Sequence, residues 1–164
     1  MSINCFRVLV LSFLVVLSFQ SNAQETAAAN KRILLKQAID SKRFVFQAQS
    51  ARSAKGKTVT LTGGYHFILV GDSLAMDLPY YGKSYTSTTY GESDLSNRFQ
   101  STHFSYTADT TKKGGWQIKI LPVNESKASR IYLSVESNGS CSLNVQSSTR
   151  QQISYYGSVE ALKN

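Results

Sequence analysis

The stretch RIYLSVESNGSCSLNVQ, residues 130–146, decides the fold class. In its first half Ile131, Leu133 and Val135 alternate with Tyr132 and Ser134. In its second half Cys141, Leu143 and Val145 alternate with Ser142 and Asn144. An apolar residue at every second position marks a strand with one buried face. Between the two runs stands Asn138-Gly139, a pair that tolerates positive φ and is the strongest short hairpin signal. A connector that short requires antiparallel neighbours, because a parallel return takes about a dozen residues or more.

The period of two extends outward in both directions. Phe44, Phe46 and Ala48 alternate with Val45, Gln47 and Gln49, and Val59 and Leu61 stand among threonines. Tyr65–Val70 and Ser73–Leu78 flank a second tight turn, Gly71-Asp72. Arg98–Ala108 reads as one strand, and residues 112–115 turn the chain into Trp116–Leu121. Gln152–Tyr156 closes the series. Such runs are rich in the β-branched and aromatic residues that suit a pleated, half-buried surface. The expected fold is therefore mainly β. It is an antiparallel up-and-down meander closing into a small lipocalin-like barrel or a sandwich, either of which hides sheet edges.

Upstream the period changes. Residues 26–42, TAAANKRILLKQAIDSK, favour a helix by composition. Leu34, Leu35, Ala38 and Ile39 recur at helical spacing as an apolar face, and Thr26 is a plausible N-cap. Further upstream, Arg7 precedes the apolar run Val8–Phe19. That run is well short of the ~20 residues a membrane-spanning helix needs. It matches the core of a secretory leader, with the small residues Ser21 and Ala23 at the cleavage positions. Residues 1–23 are thus expected to be removed. Residues 24–164 remain as a single β-rich exported domain, periplasmic or extracellular, with no membrane span left after cleavage. Cys5 leaves with the leader, so Cys141 has no intramolecular disulfide partner, and its place in the alternation makes it a buried small hydrophobe.

Lys and Arg number 18 against 10 Asp and Glu, a formal charge of +8. The charge falls by one with Arg7 and still favours anionic surfaces. Its densest group is Lys31, Arg32, Lys36, Lys42 and Arg43, on or beside the expected helix, where a solvated helix face accounts for it. Phe99, Phe104, Tyr106 and Trp116 could stack on nucleic-acid bases. Strand spacing makes them core, and export removes most such partners, so no nucleic acid is expected.

Chemistry is sparse. Gly71-Asp72-Ser73-Leu74 looks like the nucleophile block of the GDSL esterase family, in which a histidine preceded by an aspartate activates the serine. Here the histidines are His66 and His103, and Gln100 stands where the aspartate would be. A serine without a positioned base is a poor nucleophile. A turn accounts for the same letters, and a hydrolase using Ser73 stays a minor alternative. No metal or cofactor pattern is present. The polar segment 79–97, PYYGKSYTSTTYGESDLSN, is long for a connection in a compact domain. It carries Tyr80, Tyr81, Tyr85 and Tyr90, which are the candidate ligand-binding residues.

Four blocks resemble a known family in order and spacing. They are LLKQAIDSKRFVFQAQSA, LPYYGKSYTSTTYG, FQSTHFSYTADTTKKGGWQIKI and SNGSCSLNVQSSTRQQISYYGSV. Together they resemble domain-of-unknown-function family 4251, small exported bacterial proteins common in Bacteroidetes, over nearly all of residues 30–159. The resemblance implies a cell-envelope location and brings no activity and no catalytic residues. The functional expectation is a non-catalytic envelope protein whose barrel or sandwich binds a small apolar or amphipathic ligand, with tyrosines at the rim. The alternative is a structural or interaction module contacting envelope proteins or anionic polymers.

Overall fold

The computed structural model describes residues 28–82, 96–125 and 127–162. The expected leader, Thr26, Tyr85 and Tyr90 lie outside the described residues. Residues 28–40 form helix α1. Ten strands follow: β1 (Arg43–Ser53), β2 (Thr58–Thr60), β3 (His66–Val70), β4 (Ser73–Pro79), β5 (Ser96–Ser101), β6 (Phe104–Thr110), β7 (Trp116–Pro122), β8 (Arg130–Val135), β9 (Ser140–Gln146) and β10 (Ile153–Ala161).

All ten join one antiparallel sheet, curled into a half-barrel, in the order β5-β4-β3-β1-β10-β9-β8-β7-β6, with β2 paired to β1. Two meanders, β3–β5 and β6–β10, are stitched together by β1 and β10, the first and last strands. The turns do as their sequences require. Val70 faces Ser73 across Gly71-Asp72, and Gly71 takes a positive φ at the first turn position, as a type II′ hairpin needs. At Asn138-Gly139 only the glycine has positive φ, and the Gly139 N–H donates to the Glu136 carbonyl. The loop is a β-turn closed by a left-handed glycine rather than a two-residue connection.

Arg98–Ala108, one strand by its periodicity, is divided. β5 and β6 are joined by Thr102-His103 but form opposite edges of the sheet. Successive pairings alternate in direction, so the two edges run the same way. A two-residue link cannot reverse the chain into a parallel neighbour. β6 therefore continues where β5 stops, and the curled sheet stays open at this seam. Inward positions shift by one across the link, from Asn97 and Phe99 to Phe104 and Tyr106.

A bulge between Ala48 and Ser50 makes a similar change of phase in β1. Its inward residues are Phe44, Phe46 and Ala48 before the bulge and Ala51 after it. Beyond the bulge β1 exchanges β3 for β2 as its neighbour. Gly157 lies opposite, where an added Cβ would stand 1.8 Å from the Gln47 carbonyl oxygen. Only glycine lets these strands approach so closely.

The concave face is filled by side chains. Phe44, Phe46, Phe67, Leu69, Leu74, Ile120, Ile131, Leu133, Leu143 and Tyr155 are fully buried there, and α1 adds Leu35, Ala38 and Ile39. Leu34, expected on the buried helix face, is 56% exposed beside exposed Ile33. The Tyr106 hydroxyl donates to the Ile39 carbonyl at 2.9 Å and ties the helix end to β6. Among the described residues no helix is long and apolar enough to cross a membrane.

Candidate functional site

The expected tyrosine rim divides. Tyr80, at the end of β4, is 3% exposed, whereas its neighbour Tyr81 is 43% exposed. Tyr80 is a core residue with a polar tip. Its hydroxyl donates to the Gln151 carbonyl at 3.1 Å, and the Arg150 guanidinium lies over its ring at 5.1 Å. Its ring also folds back on Gly82, where an added Cβ would lie 2.3 Å from the tyrosine oxygen.

Tyr80 belongs to a polar cluster that joins three segments. Asn97, on β5, is 1% exposed and is the one buried polar or charged residue among those described. Its Nδ2 donates to the Tyr155 hydroxyl at 3.0 Å, and that hydroxyl donates to the Pro79 carbonyl at 2.7 Å. Arg150 Nη1 donates to the Ser96 carbonyl at 2.7 Å and to Asn97 Oδ1 at 3.2 Å. Burial raises the Tyr155 pKa, which keeps the hydroxyl protonated as a donor. These groups answer one another. The cluster clamps the end of β4 and the start of β5 to the β9–β10 connection, and its chemistry is that of a fastener. The sequence reading missed Asn97, Arg150 and Tyr155. They lie 53 and 58 residues apart along the chain, so only the folded register brings them together.

Ser73 is exposed at the β3–β4 turn. The neighbouring Asp72 pairs with Lys42 at 3.4 Å. Nδ1 of His66 meets the Gly64 carbonyl, and Nδ1 of His103 meets Thr102 Oγ1. Neither imidazole is hydrogen-bonded to the Ser73 hydroxyl. Cys141 is buried in β9, and desolvation raises its pKa, so its thiol stays protonated. Among the described residues no three His, Cys, Asp or Glu side chains gather as a metal ion would require.

A second region lies where the β6–β7 and β8–β9 turns meet. Thr111, Lys112, Lys113, Gln117, Ser134 and Glu136 line a surface cleft of about 510 Å³. Gln117 Nε2 donates to Ser134 Oγ at 2.7 Å across the cleft wall. The basic end of α1 touches both turns. A Cβ built on Gly114 would come within 2.8 Å of Arg32 Nη2, and one on Gly139 within 3.3 Å of Lys31 Cε. The helix cations therefore have company: Arg32 stands beside the turn that carries Lys112 and Lys113, and Lys31 beside the β8–β9 turn. Lys36 and Lys42, by contrast, are taken up by Asp40 and Asp72. The sequence marked the helix group and the turn separately, and the contacts at Gly114 and Gly139 unite them.

The family profile for DUF4251, a domain of unknown function, matches residues 26–159. The chain belongs to the DUF4251 family. It is similar to the crystal structure of a DUF4251 family protein from Bacteroides eggerthii, with a TM-score of 0.58 and 13% identity. The match covers 82% of this chain and 88% of that one. At that identity the likeness speaks for the DUF4251 fold alone. No curated protein matches the chain.

Proposed function

We propose that this protein is a non-catalytic interaction module of the cell envelope, which engages an anionic partner through the basic end of its half-barrel. The observation that carries this reading is the contact of Arg32 with Gly114, which adds the helix cations to Lys112 and Lys113 beside the open cleft. An excess of positive charge around a cleft concentrates counter-charged ligands and speeds their capture.

The filled concave face supports recognition from outside rather than enclosure. A small barrel holds a ligand when its interior is not occupied by side chains. Here Phe44, Phe46, Phe67 and Tyr155 occupy it. For a small amphipathic ligand, the reading the sequence favoured, the surface on offer is the exposed Tyr81 at the clamped end of β4.

The test is retention on a heparin column across a sodium chloride gradient. The intact protein is expected to bind at low salt and to elute as ionic strength screens the contact. Reversing Arg32, Lys112 and Lys113 to glutamate should abolish retention. Reversing Arg52, Lys55 and Lys57, at the exposed turn after β1, should leave most of it. Equal loss in both variants, or no retention of the wild type, would remove the proposal.

A further inference from the structure

We infer that the cleft between the β6–β7 and β8–β9 turns is a binding site for an acidic saccharide, an inference that rests on the anionic-partner reading and narrows it. Lys112, Lys113 and Glu136 share the cleft, yet the ion pairs among the described residues are Lys36–Asp40, Lys42–Asp72 and Arg98–Asp77. Charges of both signs stand in one concavity without neutralising each other. A bare anion such as phosphate would use the lysines and be repelled by the carboxylate. A neutral sugar would leave the ammonium groups unanswered. A sugar acid answers both, because its carboxylate accepts from Lys112 and Lys113 while its ring hydroxyls donate to Glu136.

The rest of the wall suits the same ligand. Thr111, Ser134 and Ser137 offer hydroxyls that donate or accept. Gln117 adds an amide, already held by Ser134 Oγ. A volume of about 510 Å³ has room for two or three sugar rings and is open to a longer polymer passing through.

The sign of one substitution decides the matter. If the cleft merely attracts negative charge, Glu136→Gln removes a repulsion and tightens binding. If Glu136 accepts from sugar hydroxyls, the same change weakens it by about tenfold, the worth of a hydrogen bond to a charged group. The measurement is isothermal titration of the intact protein with tri-galacturonic acid, its neutral methyl ester and inorganic phosphate. Tri-galacturonic acid is expected to bind, the ester at least tenfold more weakly, and phosphate not to compete. Lys112→Ala with Lys113→Ala should cost tenfold or more, and Glu136→Gln should weaken the uronate. Tighter binding in Glu136→Gln, or competition by phosphate, overturns the saccharide site and leaves the anionic-partner reading standing. No uronate binding by a protein still retained on heparin does the same. Loss of both signals defeats both readings.

Discussion

At the scale of single residues, two glycines and one hydroxyl carry consequences out of proportion to their size. At Gly157 the neighbour a Cβ would strike is the Gln47 backbone carbonyl, which cannot swing aside. Gly157→Ala is expected to destabilise by ~3 kcal/mol, the upper end of overpacking costs, as read from urea unfolding midpoints. At Gly82 the obstacle is the Tyr80 side chain, held by Gln151. Gly82→Ala should cost less, about 1–2 kcal/mol, and should change the near-ultraviolet circular dichroism as the ring is displaced. Tyr155→Phe strips the Pro79 carbonyl of its donor and Asn97 Nδ2 of its acceptor in a buried setting. A loss of about 1–3 kcal/mol is expected, with faster amide exchange around Pro79 and Asn97. A variant as stable as wild type would mean the clamp contributes nothing to holding that end of the sheet.

Among the elements, most strands were legible because a half-buried strand writes its period directly into the sequence: Ile131, Leu133 and Val135 face in, and Tyr132 and Ser134 do not. Two elements were misread for physical reasons. Leu34 fits an apolar helix stripe by spacing, but the sheet meets only the narrower face of Leu35, Ala38 and Ile39. Leu34→Gln should therefore be nearly neutral, within ~0.5 kcal/mol, while Leu35→Ala costs about 2–5 kcal/mol. The stretch 98–108 looks continuous because both of its halves alternate. The step of phase between Phe99 and Phe104 was the available signal that they belong to different edges. Deleting His103 removes one of the two linking residues and the carbonyl that accepts from the Val123 N–H, which strains the entry into β6 and its tie to α1. A drop in Tm of roughly 10 °C is expected by calorimetry, corresponding to ~3 kcal/mol for a domain of this size. The candidate cleft was less legible than the fold. Lys112 and Lys113 read as a turn and Arg32 as a solvated helix face, and nothing local to either says that they meet.

For the whole molecule, the buried acids set the alkaline limit of stability. Burial raises the pKa of Tyr106 and Tyr155 above the ordinary value of 10.0, and that of Cys141 above 9.0. The unfolded chain gives up these protons at the ordinary values while the folded chain keeps them. Their contribution is thus fully present below pH ~9 and is lost as pH rises beyond the unfolded values. Tm measured from pH 7 to pH 11 should hold level and then fall, and Tyr155→Phe should make the fall shallower. A Tm that climbs above pH 10 would contradict the buried protonated state. The open seam sets a limit of another kind. With an odd number of strands between its two margins, the sheet presents both in the same orientation, so no exchange of side chains along 96–110 can zip them together as a hairpin. A descendant of this fold could become a sealed, wholly antiparallel cylinder only by gaining or shedding one whole strand, a change of gene length rather than of lettering.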